Sequence, residues 1–66
     1  MKKYNIVNEG TNQIVCKAKN SGRHYRQNKD KIERGLIPVC VTKGRAEKEA
    51  EFLNREYCDG WTIKAL

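Results

Sequence analysis

From Gly22 to Lys31 the chain reads GRHYRQNKDK, which sets Arg23, His24, Tyr25, Arg26, Lys29 and Lys31 close together with almost nothing apolar to hold them down. Cations at this density suit phosphate binding. Lys and Arg side chains displace the counterions condensed on a nucleic-acid backbone and need no shaped pocket to do so. His24 and Tyr25 lie between Arg23 and Arg26, and an aromatic ring among guanidinium groups can stack on an exposed base while the cations hold its phosphates. Lys17 and Lys19 precede the stretch, two apart on an expected strand and therefore on one face, and Arg34 follows it. The candidate nucleic-acid-binding set is thus Lys17, Lys19, Arg23, His24, Tyr25, Arg26, Lys29 and Arg34. Two plainer uses compete with it: a solvated charged loop with Tyr25 folded back on the core, and a contact surface for a protein partner.

Other chemistries find less support. There is one histidine, no Ser/His/Asp set, and no glycine-rich phosphate loop of the strand-to-helix type. Asp30 and Glu33 sit beside Lys29, Lys31 and Arg34 and read as ion-pair partners within the basic stretch, not as an acid/base couple. A non-enzymatic protein without a cofactor is expected. Cys16, Cys40 and Cys58 could join His24 in a tetrahedral zinc set, but no two of these ligands lie within six residues of each other. Structural zinc sites usually draw ligands in close pairs, because one turn can aim two side chains at one metal. Free thiols are the plainer expectation, and a disulfide framework is not indicated. Thr42-Lys43-Gly44-Arg45 opens an expected helix, where free N–H groups and two cations could add a phosphate contact or simply cap.

Charge is distributed unevenly. Residues 1–45 hold eleven Lys or Arg against three acids, whereas residues 46–66 hold three against five, within a net charge of +6. The basic surface must come from the first two thirds of the chain. With 66 residues a single domain is expected, one that buries only about 60% of the surface its unfolded chain exposes. No apolar run follows Lys2 and Lys3, and no segment approaches the length of a membrane span, so a cytoplasmic protein without membrane contact is expected.

The elements that must position these groups follow from periodicity. Lys3 to Val7 and Gln13 to Lys19 alternate as strands, with Ile14, Cys16 and Ala18 on one side and Val15, Lys17 and Lys19 on the other. The turn residues Asn8 to Asn12 between them predict a hairpin, with Gly10 free to take positive φ. Leu36 to Val41 is strand-like, with Pro38 near its start or at an edge. Thr42 falls where an N-cap is wanted, and Ala46, Ala50, Leu53 and Tyr57 form one helical stripe flanked by Phe52. Gly60 suits a left-handed stop, and Trp61 to Leu66 alternates again as a last strand with Trp61, Ile63 and Ala65 inward. Residues 20–35 are expected to be a basic loop, with one or two helical turns from Asn28 to Arg34. The sum is an α+β domain in which one helix covers one face of a small, mainly antiparallel sheet. Its expected core is Ile6, Ile14, Cys16, Val39, Val41, Ala46, Ala50, Leu53, Tyr57, Trp61 and Ile63.

From Leu36 to Leu66, the order of strand, Thr42, Glu- and Ala-rich helix, Tyr57, Gly60-Trp61 and closing strand resembles the second half of several small phage-encoded α+β proteins. The resemblance implies an accessory or host-takeover protein that acts by occupying a host surface such as the transcription machinery. It carries over no functional residue, and the basic first half departs from it. The leading expectation is a nucleic-acid-binding module for DNA or RNA, with host-protein binding as the alternative.

Overall fold

The computed structural model describes residues 2–66. In chain order they form β1 (Tyr4–Asn8), β2 (Gln13–Ala18), β3 (His24–Asn28), β4 (Leu36–Pro38), α1 (Lys43–Glu56) and β5 (Trp61–Ala65). The five strands make one sheet with the order β3-β2-β1-β5, every neighbour antiparallel. The α+β architecture with one helix on the sheet is therefore the one the periodicity predicts.

Two strands share the second edge of β2. β1 pairs with its first residues, Val7 opposite Ile14, and β4 with its last, Ile37 opposite Lys17. Beyond Pro38 the chain stitches this split together. Val39 N–H donates to Val15 O at 2.9 Å, and Tyr4 and Val41 exchange both backbone hydrogen bonds at 2.8 and 3.1 Å. The buried Asn5 closes the junction by donating from Nδ2 to Val39 O at 2.8 Å, a carbonyl that would otherwise face the cost of burial without a partner.

Alternation from these registers sorts the side chains. Tyr4, Ile6, Val15, Val39, Trp61 and Ile63 share the face that meets Ala46, Ala50 and Leu53 of α1, and this is the main core. Val7 and Cys16 are also buried, yet they point the other way. β3 and β4 flank β2 on opposite sides and run parallel, so residues 29–35 must cross β2 to join them. Gln27 projects from the face away from α1, and its Oε1 accepts from Glu33 N–H at 3.4 Å, which places the crossover over Val7 and Cys16. The protein thus has a second, smaller apolar layer beneath an irregular strap.

Several expectations need correction. Residues 24–28 are a strand and not a loop, and the chain after Asn28 turns without forming a helix: Asn28 Oδ1 accepts from Asp30 N–H at 2.9 Å and Asn28 O accepts from Lys31 N–H at 3.0 Å. Ile14 and Cys16 lie on the face away from the helix, while Val15 enters the main core. Three consecutive apolar residues leave both faces of β2 greasy, so alternation has no preferred sign there. Tyr57 is 55% exposed, because α1 ends at Glu56 and the backbone of Tyr57 leaves helical geometry (φ −122, ψ −89). Ala65 is exposed at the last strand's end. In the hairpin turn the residue at positive φ is Asn12 (57°), not Gly10. Thr42 occupies the N-cap position with extended backbone but makes no side-chain cap.

Asn8 and Gly60 hold the end of the sheet. Asn8 is fully buried; its Oδ1 accepts from Thr11 N–H at 3.1 Å and its Nδ2 donates to Asp59 O at 3.2 Å, tying the hairpin turn to the turn before β5. Gly60 has φ +106, and a Cβ there would lie 2.9 Å from Asn8 Oδ1, so glycine is required twice over. Asn54 then mimics a backbone pair, accepting from Trp61 N–H at 2.8 Å and donating to Trp61 O at 3.0 Å.

Candidate nucleic-acid interface

The helix lies over β1 and β5 and leaves much of β2 and β3 uncovered on the same side. Val15 pairs with Arg26 and Lys17 with His24, so Lys17, His24 and Arg26 all project beside the helix. On α1 the residues that face them are Arg45, Lys48, Glu49 and Phe52. Their spacing of three, one and three residues puts them on one stripe, next to the buried stripe of Ala46, Ala50 and Leu53. Between the two walls runs an open groove of about 660 Å³, which Val41 and Gly22 also line.

The groove is cationic with a single acid. Lys17, Arg45 and Lys48 line it, and Glu49 is held by His24, whose Nδ1 lies 2.8 Å from Glu49 Oε1. A second contact locks β3 to the end of the helix: the Arg26 guanidinium stacks 3.7 Å above the Tyr57 ring. Tyr57 in turn meets Phe52 edge to face, at 6.3 Å and 73°. Phe52 remains 46% exposed at the groove wall.

The structure divides the eight residues singled out in the sequence. Lys17 and His24 line the groove, while Lys19 and Arg23 are exposed on the β2–β3 connection beside it. An expected core of Ile14 and Cys16 turns Lys17 outward, whereas with Val15 in the core Lys17 faces the helix side. Arg26 is occupied by Tyr57. Tyr25 pairs with Cys16 and so projects from the opposite face, away from His24. Arg34 is exposed on the strap across that opposite face.

Lys29 lies at the far end of β3, where its Nζ donates to Glu9 Oε1 at 2.7 Å. That hydrogen bond, with the positive charge that makes it, holds the Glu9 carboxyl below the usual carboxylate range. Asp30 accepts from Asn12 Nδ2 at 2.8 Å instead of pairing with a lysine of its own stretch. The basic run in the sequence is therefore three different surfaces, and one of them gains Arg45 and Lys48 from the helix. Arg45 could be suspected as part of the helix opening; Lys48 was hidden in the acidic third of the chain, although its i+3 spacing from Arg45 and i−4 spacing from Phe52 was readable.

The fold does not bring the three cysteines and His24 together. Cys16 and His24 point to opposite faces of the sheet, and among the described residues no three His, Cys, Asp or Glu side chains are grouped to hold a metal ion. Burial pushes the Cys16 thiol above its ordinary value, while Cys40 and Cys58 are exposed. Among the described residues no helix is long and apolar enough to cross a membrane. Compared with known proteins, the chain matches no family model, no curated protein and no solved structure.

Proposed function

We propose that this protein is a small, non-enzymatic nucleic-acid-binding module that contacts the phosphate backbone along the groove between the β2–β3 ribbon and α1. The observation that carries this is the meeting of Lys17 with Arg45 and Lys48, from chain segments far apart in sequence, around a recess whose single acid is occupied by His24. Lys19 and Arg23 extend the same positive surface beyond the rim. Unpaired cations facing one another across a groove repel, and a row of phosphates relieves that repulsion while releasing counterions. The groove is partly open to solvent, which leaves a polymer able to enter it.

Anisotropy titration of labelled oligonucleotides at 50 and 200 mM salt tests the proposal. Three phosphate contacts on a single strand correspond to a logarithmic salt slope of about −2, hence a loss of about 16-fold across that range. Absence of binding at low salt, or binding indifferent to salt, rejects it.

A host-protein contact is the second reading. The exposed Phe52 and Tyr57 beside Arg26 have the composition of an interface hot spot. A stoichiometric protein complex that survives nuclease treatment would favour it.

A further inference from the structure

The groove has one wall that phosphate binding does not explain. Phe52 is 46% exposed, sits on the same helical stripe as Arg45 and Lys48, and lines the recess with them. Its ring is in contact with a second exposed aromatic ring. Tyr57 meets it edge to face at 6.3 Å, and Tyr57 is itself fixed beneath the Arg26 guanidinium at 3.7 Å. An exposed aromatic ring costs hydration free energy in the unliganded protein, and this one stands among the cations that line the recess.

Building on the nucleic-acid reading above, we infer that the groove takes an unpaired strand, with a nucleobase seated against the Phe52 ring and its flanking phosphates held by Arg45, Lys48 and Lys17. The recess of about 660 Å³ is large enough to admit a nucleobase beside its phosphates. In a duplex each base has both faces covered by its neighbours. Only an unstacked base can present a face to Phe52, and stacking of this kind is tolerant of sequence because every base has a π-face. Single-stranded DNA and RNA offer the same chemistry of base face plus phosphate. The 2′-hydroxyl distinguishes them.

The test compares four ligands of equal length at low salt: oligo-dT, oligo-U, an abasic oligodeoxynucleotide with the same phosphates, and a DNA duplex. Oligo-dT and oligo-U are expected to bind about tenfold more tightly than the abasic strand, and more tightly than the duplex. Phe52→Ala should bring oligo-dT binding down to the abasic level and leave abasic binding unchanged. Phe52→Trp should retain the tenfold difference, which separates loss of the ring from any disturbance of the helix. Arg45→Ala with Lys48→Ala should weaken all four ligands alike. If wild type binds the abasic strand or the duplex as tightly as oligo-dT, or if Phe52→Ala leaves the difference intact, the base seat is overturned while backbone binding stands. If none of the four binds in a salt-dependent way, both fall. Equal affinity for oligo-dT and oligo-U supports the shared chemistry; a large preference for either would overturn the inference that only base face and phosphate are read.

Discussion

The two sides of the helix do different things. Toward β1 and β5, α1 presents Ala46, Ala50 and Leu53 to Ile6 and Trp61, all at or below 6% exposure, in a dry and interdigitated layer. Toward β2 and β3 it presents Arg45, Lys48, Glu49 and Phe52 across an open groove, and among the described residues the direct side-chain ties there are the His24–Glu49 contact and the Arg26–Tyr57 cation–π stack. Burial of apolar area stabilises at about 25 cal/mol per Å², whereas exposed pairs of charged groups contribute about 0–1 kcal/mol. Stability therefore lives on the first side, and the second is free to be shaped for a ligand.

Mutations on the two sides should separate accordingly. Trp61→Ala removes the largest side chain of the packed layer and is expected to cost about 3–5 kcal/mol, much of the total for a domain of this size. Denaturant unfolding followed by circular dichroism would show it, and a loss below about 1 kcal/mol would break the contrast. Trp61→Phe should be far milder. Among the described residues the buried Trp61 Nε1 has no hydrogen-bond partner, so removing it relieves a desolvation cost of about 1–3 kcal/mol that partly offsets the smaller ring.

Gly60→Ala comes next, at about 1–3 kcal/mol, because the new Cβ meets both an unfavourable φ and Asn8 Oδ1 at 2.9 Å. Asn8→Ala should cost a similar amount by leaving Asp59 O and Thr11 N–H without their partner. If both changes together cost no more than either alone, the two residues act as one junction.

On the open side the order reverses. Arg26→Ala should cost only about 0.5–1 kcal/mol of stability, and Arg45→Ala with Lys48→Ala should leave the melting temperature almost unchanged while weakening oligonucleotide binding about tenfold. A large fall in melting temperature from the double change would show that the groove wall is structural.

Thiol chemistry gives a finer probe of burial. Alkylation of the native protein near pH 8 should label Cys40 and Cys58 and spare Cys16, which lies under the strap with its thiol pushed up. All three should label in denaturant. Because the folded state favours the protonated Cys16 thiol, that contribution to stability is complete below the ordinary thiol range and is lost as pH rises through the raised value. The smallest expected effect is at Glu9. Its carboxyl is lowered by Lys29, so its contribution is present above the ordinary carboxylate range and is lost as pH falls through the lowered value. Glu9→Gln should flatten acid unfolding slightly and change nothing near neutrality.

Much of this was legible from residue order. Trp61 to Ala65 and the Ala46-Ala50-Leu53 stripe carry unambiguous periods, and Gly60 could be recognised as a stop because only glycine tolerates its backbone easily. β3 was not legible. HYRQN has two polar faces once His24 and Arg26 are read as hydrophilic, and it is held as a strand by backbone pairing with β2, a force that acts whatever the side chains are. The sign of β2 was equally hidden, since Ile14-Val15-Cys16 offers apolar atoms to both sides and both sides prove to be covered.

By itself, then, the sequence determined the element types with strong periods, the α+β class, and the excess of positive charge in the first two thirds of the chain. These follow from local sterics and from counting charges. Tertiary structure alone decided which of the basic residues lie together. The register of β2 turned Lys17 toward the helix, the pairing of β3 sent Tyr25 to one face and His24 to the other, and the lie of α1 over β1 and β5 brought Arg45, Lys48 and Phe52 opposite Lys17. Alternation along a strand reverses with a shift of a single residue. A surface assembled from three segments therefore depends on long-range pairing, which no local pattern in the chain records.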